Sequence, residues 1–170
     1  MKQTNTLGYG LITGIVCAVI SYSMFRSGIL LKYSLLSLLI QVPLLVGILM
    51  NAIAFSKANN GFVTFGNVFG SCFRMSLIVA AVLMINAIIE VATVPQMKEG
   101  MMAATRENAL KMGQTDDQIE MGVNIIRNFY GAIIIGGAIL GELFWGALLS
   151  LIGSAIAEKK GPNVMAAENM

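Results

Sequence analysis

The sequence predicts an all-α fold: a membrane four-helix bundle with two short amphipathic helices outside the membrane, between the third and fourth spans. Three observations predict it. The chain has 170 residues, of which 56% are hydrophobic and 12% charged, and its mean hydropathy is +0.77; a water-soluble fold of this composition would lack the polar residues to cover itself. Four stretches reach the length of about 20 apolar residues that hydrocarbon ~30 Å thick demands of a helix rising ~1.5 Å per residue. Inside them the apolar residues run without a break, as at Leu77-Ile78-Val79 and Ile133-Ile134-Ile135, where a barrel strand would alternate apolar with polar.

The first span covers residues 7–25, carries no charge and ends at Arg26. A secretory signal is the competing assignment, since Lys2 precedes the stretch and Ser21-Tyr22-Ser23 offers small residues two apart. The stretch is longer than a signal core and holds Gly10-x-x-x-Gly14, a pattern that suits packing with other helices, so a retained helix is expected. Residues 26–32 then form a short turn that makes the first two spans an antiparallel hairpin. The second span covers residues 33–55, with Pro43 expected to kink it after Val42 and Lys57 closing it.

Residues 56–61 read as a turn, and Phe62, Phe65, Phe69 and Phe73 follow at helical spacing. A helix capped by Thr64 and running to Val94 would have ~30 residues and extend ~45 Å, more than the hydrocarbon. Its part before Arg74 is therefore expected to tilt or to lie among headgroups, leaving residues 75–94 as the third span, with Glu90 its one charge and Pro95 after it. Residues 95–128 form the polar segment. Pro95 suits a first helical turn; Met97, Met101, Ala104, Asn108 and Met112 share a face; Gly113 is a stop. Thr115-Asp116-Asp117-Gln118 has the capping-box spacing, and Ile119, Val123 and Ile126 share a face of a second short helix. The fourth span covers residues 129–157, between Arg127 and Glu158-Lys159-Lys160, and its glycines mark it as the central packing helix.

Four spans leave both termini on one side. Lys2, Lys57, Arg74, Lys159 and Lys160 lie there, against Arg26, Lys32, Lys98, Arg106, Lys111 and Arg127 opposite. The positive-inside rule barely discriminates, and the concentration of positives in the short tails favours cytoplasmic termini. A formal charge of +2 offers no basic face for nucleic acid. The absence of histidine removes the commonest metal ligand and near-neutral base, and no metal or cofactor is expected. Cys17 and Cys72 stand alone in their segments and are expected to pack as small apolar residues.

The chain resembles a bacterial membrane-protein family known as domain of unknown function 4199. The likeness lies in Tyr9-Gly10-Leu11-Ile12-Thr13-Gly14, in Val63-Thr64-Phe65-Gly66-Asn67-Val68-Phe69, in Pro95, in Gly113 followed by Thr115-Asp116-Asp117-Gln118-Ile119-Glu120, and in Ser150-Leu151-Ile152. The resemblance implies a four-helix, multi-pass inner-membrane protein without an established activity, and it assigns no catalytic residue.

Glu142 is the leading functional candidate, because a carboxylate near the middle of a span is costly and by default suggests function. By depth its partners would be Asn51, Gln41 and Asn86. The alternative is a neutral acid making interhelical hydrogen bonds. Glu90, less than two turns from Pro95, is expected to reach the interface. Gly10 with Gly14, Gly66 with Gly70, and Gly137 with Gly141 each set two glycines on one helix face for close packing, or for dimerisation. No nucleophile, base and anion-stabilising group occur together, so an enzyme is not expected. The favoured function is a structural or accessory protein binding lipid or a membrane partner, with a homo-oligomer possible; the alternative is a proton, cation or small-solute transport component that relays through Glu142.

Overall fold

The computed structural model describes residues 4–160, apart from the side chain of Ser34; there is no strand among them, and Lys2 lies outside the described residues. Helix α1, Thr6–Ser27, starts where the Asn5 side chain accepts from the Gly8 amide at 3.0 Å. It stops at Gly28, whose φ of 67° is the left-handed value that glycine takes without a steric cost. A single turn, α2 (Ile29–Lys32), leads into a 3-10 segment, Ser34–Ile40, and then α3, Gln41–Ala58. The second span thus begins as 3-10 helix. Pro43 falls in the first turn of α3, where a missing N–H breaks no intrahelical bond, so a change of helix type before Gln41 replaces the kink expected after Val42.

Helix α4, Phe65–Thr93, begins at the expected cap, with Thr64 Oγ1 accepting from the Asn67 amide at 3.3 Å, and ends at Val94 before the proline. Pro95 opens α5, Pro95–Lys111. The chain reverses through Gly113 (φ 69°), and the Thr115 amide donates to the Gln118 side chain at 3.1 Å to start α6, Asp116–Ile156. The second short helix expected here starts at Asp116 and joins the long apolar stretch through a kink, where Phe129 (φ −118°, ψ 15°) leaves helical geometry; α6 names the two together.

The buried stripe of α5 also differs from the expected face. Met97 and Ala109 are buried and Met101 and Met102 half-buried, while Asn108 is exposed and Met112 is 75% exposed. Helix α5 folds back along the start of α6, so Ile119 and Val123 select the face it buries, through Met102 and Ala109.

Four helices, Thr6–Ser27, Leu35–Ala58, Phe65–Thr93 and Asp116–Ile156, are long and apolar enough to cross a membrane. The central one is α4, not the fourth span as expected: it packs against α6, α1 and α3 and buries the largest share of its apolar stretch. The reason is the small side chains on several of its faces, Ser71, Cys72, Ser76, Ala80 and Ala87, which are all buried. Around Cys72, Met75 and Val79 the core gathers Cys17 of α1, Leu44 and Ile48 of α3, and Leu149 of α6. A second cluster, Phe25, Val94, Met97, Ile126 and Tyr130, closes the end that carries α2 and α5, called here the loop end. The opposite end, with residues 4–5, 59–64 and 157–160, is the terminal end.

Candidate functional site

The register of the long helices determines which polar groups meet. Helix α6 runs antiparallel to α4, with Gly131 beside Val91, Gly146 beside Ser76 and Gly153 near Cys72. It runs parallel to α3, with Ser56 Oγ donating to the Glu158 carbonyl at 2.5 Å. Glu142, midway along the fourth span, therefore comes level with Gln41 at the start of α3. Between them lies a cavity of about 210 Å³, walled also by Ser21, Glu90, Ala87, Gly137, Gly141 and Trp145. That volume admits several waters, since one needs a probe volume of only ~10–15 Å³.

Glu142 is 3% exposed, and its Oε1 has no hydrogen-bond partner; neither has Oε1 of Gln41. No lysine or arginine lines the cavity. Cys17 of α1 is within electrostatic reach of Glu142, and Glu90 of α4 lines the same cavity. Glu90 is 4% exposed, and its Oε1 accepts from Ser21 Oγ and from Asn86 Nδ2, both at 2.7 Å. Contrary to the expectation that it reaches the interface, Glu90 is enclosed, because the cluster of Phe25, Val94, Met97 and Tyr130 closes the bundle beyond it. Two buried carboxyls, the Gln41 amide and two serines, Ser21 and Ser37, thus share one crevice. Such a set accepts hydrogen bonds in excess and suits a proton, a cation or a donor-rich ligand.

A family model described as a protein of unknown function (DUF4199) matches residues 8–159. The chain belongs to the DUF4199 family. The DUF4199 match takes in α1 from Gly8 onward, the other three long helices, α5 and every residue of the crevice, and it brings no assigned activity. No curated protein and no solved structure matches the chain.

Of the partners expected for Glu142 in this DUF4199 chain, only Gln41 shares its cavity. Asn86 serves Glu90. Asn51 lies nearer the terminal end, its Nδ2 donating to Ser71 Oγ at 3.1 Å and to Cys72 Sγ at 3.8 Å, with Oδ1 unpartnered. Sequence reasoning missed Ser21 and the burial of Glu90; the signal was Asn86-x-x-x-Glu90, since residues four apart meet on a helix.

The glycine pairs divide. A Cβ at Gly10 would stand 2.8 Å from Ile78 Cβ, and one at Gly14 3.0 Å from Val82 Cβ, so this pair lets α1 approach α4 closely. At Gly66, Gly137 and Gly141 nothing outside the helix backbone lies within 4 Å, and at Gly70 only the Arg74 side chain does. These are not packing positions within the chain, because their faces point away from its other helices or into the crevice. Close packing falls instead to Gly47, against Thr13 and Met75, and to Gly146 and Gly153.

Proposed function

We propose that this DUF4199 protein spans a bilayer four times and is a proton- or cation-transport component whose exchanging group is Glu142. The observation that carries this is the buried, unpartnered Glu142 Oε1 on the wall of a crevice without lysine or arginine. Inside a bilayer a carboxylate so located requires a proton or a cation as counterpart. The bilayer itself is supported by the outward faces: Ile12, Val19, Ile85 and Leu140 are exposed, on helices apolar all round. Among the described residues no reacting constellation supports an enzyme.

The test is flux. Reconstituted protein is expected to carry protons or sodium, and Glu142→Gln, which keeps size and polarity but cannot exchange a proton, to abolish it. Absence of flux in the unaltered protein would remove the transport function.

An accessory role has one observation in its favour. Met121, Ile125 and Phe129 form an exposed apolar row on α6 at the loop end, the first two outside the expected span and Phe129 at its start. Co-purification of one membrane partner with the unaltered chain, lost in Met121→Glu and Ile125→Glu, would favour it.

A further inference from the structure

Four residues lie along the seam between Glu142 and the terminal end: Ser76 and Ser71 on α4, Ser150 on α6, and Asn51 on α3. All are buried, Ser150 and Asn51 with 0% exposure. Buried polar groups in a bundle are ordinarily satisfied, yet Ser150 Oγ and Asn51 Oδ1 have no partner, in the same seam as the unpartnered Glu142 Oε1. The seam has an order. A Cβ at Gly146 would stand 2.5 Å from Ser76 Oγ and 4.0 Å from Glu142 Oε1, so the glycine keeps the gap between them open. Ser150 follows one turn beyond Gly146, and Ser154, next on that face, turns its hydroxyl back to the Ser150 carbonyl at 2.7 Å. Asn51 Nδ2 then donates to Ser71 Oγ at 3.1 Å.

Ser71 is also on the wall of a second cavity, about 280 Å³, at the terminal end, with Thr4, Asn5, Thr6 and Arg74 around it. Its Oγ lies 3.4 Å from Thr6 Oγ1. The seam therefore starts at the crevice around Glu142 and ends at a cavity at the terminal end.

We propose that this column of hydroxyls conducts protons between the Glu142 crevice and the terminal-end cavity, which rests on Glu142 being the exchanging group. A serine hydroxyl has one donor hydrogen and two acceptor lone pairs, so it takes a proton on one side while giving up its own on the other. In each transfer the O–H bond of protonated Glu142 breaks as its proton joins the next oxygen, Ser76 or a water bound at Ser150 Oγ. That oxygen releases its former hydrogen onward, Ser76 once its O–H has turned from the Phe73 carbonyl to which it donates at 2.8 Å, and the proton leaves from Ser71 into the second cavity. One proton enters, one leaves, and nothing is oxidised or reduced. The unpartnered Ser150 Oγ and Asn51 Oδ1 are the two atoms at which a water entering from either cavity would complete the links, and Asn51 acts as a positioning residue by holding Ser71. A sodium ion finds no passage, because a column of single hydroxyls offers no ring of oxygen ligands.

The experiment uses the full chain in phosphatidylethanolamine–phosphatidylglycerol vesicles holding a pH-sensitive dye, with an imposed membrane potential. Proton influx is measured for the unaltered protein and for Ser76→Ala, Ser150→Ala and Glu142→Gln, and sodium influx is measured in parallel. The expected result is proton influx without sodium influx, reduced about tenfold or more in each serine variant, the factor of losing one hydrogen-bonded link. Both alanine variants only remove an oxygen, and an unchanged melting temperature in detergent certifies their fold. Serine variants running at the unaltered rate while Glu142→Gln is silent would overturn the column and leave Glu142 standing. Sodium influx would overturn proton selectivity, and an inactive unaltered protein would overturn both proposals.

Discussion

At Gly14 the side-chain carbon that glycine lacks would stand 3.0 Å from Val82 Cβ, while at Gly137 it would meet nothing outside its own helix backbone. The two positions look alike in sequence and should behave oppositely. Gly14→Leu is expected to cost about 1–3 kcal/mol or more through overpacking and to lower the yield of folded protein. Gly137→Leu is expected to leave the melting temperature in detergent nearly unchanged while it fills the crevice beside Glu142. Equal loss of folded protein in both would count against the α1–α4 approach as the place where glycine matters. Asn86→Leu removes the donor that Glu90 Oε1 holds at 2.7 Å. The expected destabilisation is about 1–3 kcal/mol, the cost of stripping a partner from a buried polar group, read from thermal melting.

The hairpin of α5 and the start of α6 is held by a small cluster of Met102, Ala109, Ile119 and Val123, by the Arg106–Glu120 ion pair and by the Gly113 turn. Gly113→Val places a β-branched residue at φ 69° and is expected to cost roughly 1–2 kcal/mol. Because this hairpin has its own cluster, the loss should appear there, as faster amide exchange and earlier trypsin cleavage at Lys111, with α4 unaffected. Within α5 the Lys111 ammonium, 2.6 Å from Glu107, donates to that carboxylate and holds it below its ordinary range. A depressed carboxyl stabilises the fold above its unfolded value, near about 4.3, and the contribution is lost as pH falls through the lowered folded value. Lys111→Ala should move the Glu107 titration upward in a carbon-detected NMR series, and an unmoved titration would refute the pairing. Much of this element was legible in advance: the Thr115 cap, the Gly113 stop and the buried Ile119, Val123 and Ile126 are local patterns. So was the junction at Phe129, where the expected span begins and the backbone leaves helical geometry; the face that α5 buries was not, because it depends on what the helix lies against.

Across the whole molecule the four long helices turn Leu7, Ile12, Val19, Val46, Ile85 and Leu140 outward. Such a surface exceeds what water tolerates on a monomer. The chain is expected in the membrane fraction of lysed cells, soluble only with detergent; a monodisperse preparation in plain buffer would refute four spans. Charge is spread over both ends, with Lys57, Arg74, Lys159 and Lys160 at one and Arg26, Lys32, Lys98, Arg106, Lys111 and Arg127 at the other. Charge therefore orients the molecule only weakly.

The sequence by itself determined that the chain is helical, where its long helices run, where Thr64, Pro95, Gly113 and Thr115 punctuate them, and that a carboxyl sits midway along the last. Those are properties of a helix and its own residues, set by length, hydropathy and capping. The tertiary structure alone decided that α4 is the central helix, that Asn86 serves Glu90 while Gln41 meets Glu142, that Gly10 and Gly14 pack while Gly137 and Gly141 face the crevice, and that the buried serines fall into one seam. Depth along a helix follows from counting residues. Which face turns toward which neighbour depends on helix rotation and register, and in helices apolar on every side no pattern in the sequence distinguishes one face from another.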